Sequence, residues 1–291
     1  MKHPASEPSP APMEKVTVPS IRRRKLTAEK IVAVTAYDYP TALVADRAGI
    51  DVILVGDSLA SAVLGYETTL PVSLDEMLVA QRAVKRAVRR ALLVGDLPFG
   101  TYQTGPRGAT KAAVAFLKAG AEAIKLEGGA RRAALVRHLV ENDIPVMGHV
   151  GLTPQSVHAM GGYRVQGKSP ESGAALVEDA LALEAAGAFA VVVEGVPSDV
   201  AAEITARLEV PTIGIGAGPA TDGQIIVLAD VLGMLPGKKP RFVRSYLDFH
   251  SLALEALGAY RRDVIAGSFP SAAESYTAPE MKATSAIIER P

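Results

Sequence analysis

A closed parallel (β/α)8 barrel, the TIM-barrel form of the α/β class, is the fold this sequence predicts, on three observations. Seven or eight short apolar runs alternate with helical stretches over roughly 230 of the 291 residues, the pattern of parallel α/β folds. The runs are apolar at successive positions, as in Val52-Ile-Leu-Val55, which suits strands buried on both faces rather than strands with one wet face. At least five of them end in a group able to bind a metal or move a proton, whereas an open doubly wound sheet gathers its ligands at one switch point.

Taken in order, Arg22 to Lys25 reads as the solvated start of a short helix, and Ile31 to Ala36 as the first strand. Pro40 sits in the first turn of a helix over Thr41 to Ala48 that Gly49 closes, and Val52 to Gly56 is the second strand. Ser73 caps a long helix with Asp75 and Glu76 in its first turn and arginines at its end, charges that suit the helix dipole; Ala91 to Gly95 is the third strand. Helices over Thr110 to Gly120 and Ala130 to Asn142 flank a fourth strand, Ala123 to Leu126, and Pro145 to Gly148 is the fifth. A Gly- and Pro-rich loop from Gly151 to about Pro170 is long enough to be read as functional. Ser172 to Ala186 and Pro197 to Leu208 are helices, Ala188 to Val193 and Thr212 to Gly216 strands; Ile225 to Asp230 fits strand or helix, and a helical segment closes the chain between Arg241 and Gly267. The expected organisation is a disordered tail over residues 1–20, one barrel domain with its C-terminal helical segment over 21–268, and a flexible tail over 269–291.

Composition narrows function. Lys plus Arg and Asp plus Glu both number 31, so no net field favours nucleic acid or an anionic membrane. There is no cysteine, so any metal is held by oxygen or imidazole and no thiol nucleophile exists. No apolar run reaches the roughly 20 residues of a membrane span, and the N-terminus lacks a signal-peptide core, so a cytoplasmic protein is expected.

The chemistry sits at the strand ends. Asp57 and Asp96 each follow a Val-Gly strand end and would project from one barrel rim toward a common centre, where hard oxygen ligands suit Mg2+. Read singly, either aspartate is as readily a turn residue or helix cap. In Ala123-Ile-Lys125-Leu-Glu127-Gly-Gly129 the period of two puts Lys125 and Glu127 on one strand face; the plainer reading of Lys125 is an ion pair with Glu127 or an aspartate. Glu194 ends Val191-Val-Val193, where burial suits a general base, against a helix cap at Pro197. His149 is a substrate hydrogen-bond donor or a satisfied core histidine. Gly214-Ile-Gly-Ala-Gly218 is a phosphate-loop fragment or tight packing. Neither a Gly-x-Ser-x-Gly elbow nor a His-Glu-x-x-His helix occurs. A divalent cation, a lysine, a carboxylate base and no covalent nucleophile together suit enolate chemistry on a 2-oxo acid.

Seven motifs, Thr35-Ala-Tyr-Asp-Tyr-Pro40, Val55-Gly-Asp-Ser-Leu59, Gly65-Tyr-Glu-Thr-Thr-Leu-Pro71, Gly95-Asp-Leu-Pro-Phe-Gly100, Lys125-Leu-Glu-Gly-Gly129, Gly148-His-Val-Gly-Leu-Thr-Pro-Gln155 and Glu194-Gly-Val-Pro197, resemble those of the ketopantoate hydroxymethyltransferase family. The resemblance runs from about Val18 to Ala266, with Val150 and Gly195 as departures where the family often carries Leu and Cys. It implies a barrel related to the phosphoenolpyruvate and pyruvate enzymes. It also implies transfer of a one-carbon unit from 5,10-methylenetetrahydrofolate to 3-methyl-2-oxobutanoate, giving 2-dehydropantoate in pantothenate biosynthesis. By the same resemblance Asp57 and Asp96 are Mg2+ ligands, with Glu127 in the same shell directly or through water. Ser58 and Lys125 hold the substrate carboxylate and keto oxygen, His149 donates to substrate, Glu194 accepts the C3 proton, and the assembly is a large homo-oligomer, a decamer. Two rivals are a Mg2+-dependent lyase or mutase acting on another 2-oxo acid, and a catalytically silent barrel.

Overall fold

The computed structural model describes residues 14–237 and 239–276. Along the chain lie α1 (Val18–Thr27), β1 (Ile31–Thr35), α2 (Tyr39–Arg47), β2 (Val52–Val55), α3 (Leu59–Ala62), α4 (Leu74–Ala87), β3 (Leu92–Asp96), α5 (Pro106–Lys118) and β4 (Ala123–Lys125). There follow α6 (Ala130–Val140), β5 (Val146–Gly151), α7 (Val157–Met160), α8 (Pro170–Ala185), β6 (Ala190–Glu194), α9 (Ser198–Arg207), β7 (Thr212–Ile215), β8 (Gly223–Ile226), α10 (Leu228–Val231) and α11 (Phe249–Ala266). The strands close in sequence order, each parallel to the next and β8 parallel to β1, which is the expected (β/α)8 barrel. Ile225 to Asp230, which fitted either element, supplies both: the end of β8, then α10.

The local signals act where the sequence puts them. Asp38 caps α2 by accepting from Thr41 N, and Ser73 caps α4 in a full capping box with Glu76. Gly95 lies where α5 crosses β3; a Cβ there would come within 2.4 Å of the buried Phe116 ring, so only glycine lets helix and strand approach.

Strand periodicity turns this closure into a site. The cluster filling the lower barrel contains Ala33, Val52, Leu54, Leu92, Val94, Ala123, Met147, Ala190, Val192, Ile213 and Ile225. Continuing each strand by two from these inward positions reaches Thr35, Asp96, Lys125, His149, Glu194, Ile215 and Val227. The apolar layers therefore support one polar layer at the C-terminal rim, where barrels of this kind carry their active sites.

Two expected boundaries are corrected. The N-terminal tail was expected to run to residue 20, yet α1 begins at Val18, and Val16 and Ile21 are buried in the barrel cluster. Pro, Ser and Ala dominate the composition of this stretch and mask a local start signal: Thr17 accepts from Ser20 N while Thr17 N donates to the Ser20 hydroxyl. The single domain expected over 21–268 is, among the described residues, two compact units, one of 14–231 with 239–244, the other of 232–237 with 245–276, which holds α11. No residue of α11 is buried. Of the expected C-terminal tail, Ala272–Glu274 forms a 3-10 turn; residues 1–13 and 277–291 lie outside those described. Among the described residues, no helix is long and apolar enough to cross a membrane.

Candidate active site

Asp57, Ser58, Asp96, Lys125, Glu127, His149 and Glu194 all line one cavity at the C-terminal ends of the strands, with Thr35, Thr69 and an apolar wall that includes Leu54, Val192, Ile215 and Ile225. Register brings the charged groups together: Asp96 is opposite Lys125 in the β3–β4 ladder, and His149 on β5 is opposite Val192, two residues before Glu194. A wider cleft lies at the other end of the barrel, lined by Lys15, Arg23, Arg24 and Arg90. Arg24 and Arg90 both pair with Asp51 there, so that cleft is bound up in structure.

In the cavity, Lys125 Nζ lies 2.8 Å from both oxygens of Asp96 and 4.0 Å from Glu127 Oε1. The ion pair read as the plainer role of Lys125 therefore exists, but in the wall of the site. Burial alone would lower the Lys125 pKa; Asp96, Glu127 and Asp57 outweigh it and keep the ammonium protonated. Burial pushes the Asp96 carboxyl up to about 7, with Lys125 opposing and Asp57 adding to the rise. Glu127 is raised well above its ordinary range, first by burial and then by Asp57. The two directions on the Asp96–Lys125 pair express one fact, that three carboxylates surround one ammonium. The symmetric 2.8 Å contacts favour the ionised pair.

Neither aspartate is a helix cap. Asp57 Oδ2 accepts from Gln155 Nε2 at 2.9 Å, and Asp96 Oδ2 accepts from Asp57 N at 3.2 Å. Glu194 does not cap α9 either: its Oε2 lies 3.3 Å from His149 Nε2, while His149 Nδ1 lies 3.8 Å from Glu127 Oε1. Burial lowers the His149 pKa despite Glu194, so the imidazole is neutral. Its two nitrogens, Glu127 Oε1 and Thr69 Oγ1 are buried without a hydrogen-bond partner among the described residues, which removes the satisfied-core reading of His149. The burial expected for Glu194 is partial: its side chain keeps 18% exposure at the mouth, because β6 ends there.

Three residues that pattern reasoning passed over stand behind the lining residues. Tyr37 is buried, with its hydroxyl 2.8 Å from Ser58 Oγ, and burial raises its pKa. Tyr102 donates at 2.7 Å to Gln155 Oε1, and Gln155 reaches Asp57. Tyr37 and Gln155 lie in quoted motifs, but no periodicity marks a loop side chain that folds back onto the rim. Gly214-Ile-Gly-Ala-Gly218 is tight packing: Cβ atoms at its three glycines would meet Thr221, Phe242 and Ser198 within 2.6–2.9 Å.

The donor set fits a hard divalent cation. Among the described residues no three carboxylate or imidazole groups converge as a ready cage. Mg2+ asks for less, taking one or two carboxylates and completing its shell with water and substrate oxygens. Asp57 and Asp96 line the cavity beside Glu127, whose Oε1 is buried without a hydrogen-bond partner among the described residues, a set of oxygen donors that suits such an ion.

The model of the ketopantoate hydroxymethyltransferase family matches residues 15–272 of this chain. The chain belongs to that family. Among curated relatives, the 3-methyl-2-oxobutanoate hydroxymethyltransferase of Koribacter versatilis is 52% identical over 277 residues, covering 94% of each chain. That of Acidothermus cellulolyticus is 52% identical over 263 residues, covering 90% of this chain and 97% of its own. All seven motifs fall inside the span matched by the ketopantoate hydroxymethyltransferase model. Solved structures share the fold at much lower identity. Phosphonopyruvate hydrolase with oxalate and Mg2+ superposes with a TM-score of 0.58 at 16% identity, over 91% of this chain and 93% of that one. 2,3-Dimethylmalate lyase, a member of the PEP mutase/isocitrate lyase superfamily, superposes at 0.55 and 18%, over 94% and 95%.

Proposed function

We propose that this protein transfers a hydroxymethyl group to 3-methyl-2-oxobutanoate, giving 2-dehydropantoate in pantothenate biosynthesis, with 5,10-methylenetetrahydrofolate as the one-carbon donor. The observation that carries the reading is one cavity holding a buried Asp–Lys pair, two further acids and a His-contacted carboxylate at the mouth, in a chain 52% identical to relatives of that name.

Asp57 and Asp96 would hold Mg2+, with Glu127 in the same shell directly or through water. Bound there, Mg2+ supplies Lewis-acid polarisation of the substrate's keto oxygen and charge balance for the buried acids. Lys125 adds a fixed positive charge beside that oxygen, and Ser58, oriented by Tyr37, donates to the substrate carboxylate. Glu194 takes the C3 proton, and neutral His149, whose Nε2 lies 3.3 Å from Glu194 Oε2, offers its one N–H to substrate. The apolar wall packs against the methyl groups on C3 and excludes water from the enolate. C3 then forms a bond to the methylene carbon of the donor. Water supplies the hydroxyl oxygen, the carbon–nitrogen bonds of the donor break, and its nitrogens take up the protons released, leaving tetrahydrofolate. The reading further places the enzyme in the cytoplasm as a homo-oligomer, a decamer.

The test incubates purified protein with 3-methyl-2-oxobutanoate, 5,10-methylenetetrahydrofolate and Mg2+ and follows 2-dehydropantoate by mass spectrometry. Formation that depends on both the donor and the cation is expected. Cleavage of a longer 2-oxo acid without donor consumption would favour the lyase instead.

A further inference from the structure

We propose that Gln155 is a positioning residue that sets the Asp57 and Glu127 carboxylates for the cation; the inference rests on the cation reading given above. Gln155 lies in the 3-10 turn Pro154–Ser156 after β5, far along the chain from Asp57, and is buried. Its amide nitrogen donates at 2.9 Å to Asp57 Oδ2 and at 2.9 Å to the Leu97 carbonyl. Its amide oxygen accepts from the Tyr102 hydroxyl at 2.7 Å and from Gln103 Nε2 at 3.3 Å. Both donors and both acceptor positions of the side chain are therefore taken. The main-chain N–H of the same residue donates to Glu127 Oε2 at 3.0 Å.

This arrangement leaves no freedom in which way the amide faces. A carbonyl only accepts, so the NH2 group must face Leu97, and with it Asp57, and the oxygen must face Tyr102. Tyr102 is fixed in turn, with the Arg132 guanidinium 5.1 Å from its ring centroid and its oxygen 3.4 Å from Glu127 N. Asp57 is thus held by one oxygen, and no hydrogen bond among the described residues reaches the other. Glu127 has Oε2 held and Oε1 unpartnered. Gln155 thus ties the end of β5 to those of β2 and β4 through the Asp57 and Glu127 carboxylates, and to that of β3 through the Leu97 carbonyl. Outer partners of this kind typically change metal affinity 10–100-fold when removed.

The test uses the full-length protein and Mn2+ as the probe cation. Free Mn2+ is followed by electron paramagnetic resonance without substrates, and melting is measured in chelator. Gln155→Met keeps length and removes both polar ends; Tyr102→Phe removes only the hydroxyl that fixes the amide oxygen. Expected are a Kd for Mn2+ raised about 10–100-fold in Gln155→Met and about 3–10-fold in Tyr102→Phe. A purely structural role would lower the melting temperature and leave Kd unchanged, which overturns the proposal. If Gln155→Met fails to fold, Tyr102→Phe decides alone, and an unchanged Kd there overturns it equally. If the unmodified protein binds no Mn2+, the cation reading falls and this inference with it; if it binds and Gln155→Met binds within twofold, only the role of Gln155 falls.

Discussion

Replacing Lys125 by methionine removes the one ammonium from the cavity and asks most of the structure. Nζ stands 2.8 Å from both Asp96 oxygens, with 5% and 1% side-chain exposure on the two partners. At that separation and an effective dielectric near 20 the attraction is about 6 kcal/mol, most of it offset by the desolvation of both ions. What the substitution exposes is the other half of the balance, a buried carboxylate without a partner, at about 3–5 kcal/mol. A domain stable by about 5–15 kcal/mol survives this, so the variant is expected to fold and to be measurable. Urea unfolding in chelator at pH 7.5 should give a loss of about 3–5 kcal/mol for Lys125→Met, and Lys125→Met/Asp96→Asn should recover most of it. The cost should shrink as pH is lowered. Lys125 opposes the rise that burial causes in the Asp96 pKa, so without it that pKa goes higher still and the carboxyl of the folded variant takes up a proton as pH is lowered. A loss under about 1 kcal/mol, independent of pH and unaffected by Asp96→Asn, would refute a desolvated ion pair at the centre of the site.

Three other outcomes follow from the same geometry. Glu194→Gln should leave Mn2+ binding within about twofold while slowing C3 proton abstraction by about 10²–10⁴-fold in single-turnover measurements. Gly95→Ala should lose about 1–3 kcal/mol or more in urea unfolding, because the new Cβ meets Phe116 at 2.4 Å, and Phe116→Leu in the same chain should recover part of it. Asp51 accepts from Arg24 and Arg90, with contacts of 2.6 and 2.9 Å, and from Val32 N. Burial alone would raise its pKa, but these bonds hold it below 3.8, so its stabilisation is fully present above pH 3.8 and lost as pH falls through the lower folded value. Asp51→Asn should therefore cost about 2–3 kcal/mol at pH 7, less than a fully buried pair because both arginines keep some exposure, and should flatten the acid limb of the stability curve.

The barrel was legible because each apolar run is short and β-branched and is followed by a helix with its own start signal, as at Ser73 and Pro170. Much of the site was legible for a related reason. Lys125 and Glu127 share a parity with Ala123, and Glu194 with Val192, so residues that continue a buried strand by two had to face the cavity. Asp57 breaks that parity, since Gly56 holds the inward position, and only the tight turn after the glycine turns its carboxylate in. Gln155 and Tyr102 were not legible: each lies in a loop, and what brings them to the rim is tertiary packing that no local period records. The start of α1 was hidden because Val16, Val18 and Ile21 follow directly on a Pro- and Ser-rich end whose composition masks them.

The central claim is proton removal at C3 by Glu194 beside a cation-assisted keto oxygen. Its most direct measurement is nuclear magnetic resonance of 3-methyl-2-oxobutanoate in D2O with purified protein and Mg2+, with and without 5,10-methylenetetrahydrofolate. Loss of the C3 proton signal that needs the cation, is absent in Glu194→Gln, and occurs without the folate is the predicted result, with 2-dehydropantoate forming only when the folate is added. Retention of the C3 proton under all conditions, or exchange at the native rate in Glu194→Gln, would contradict it.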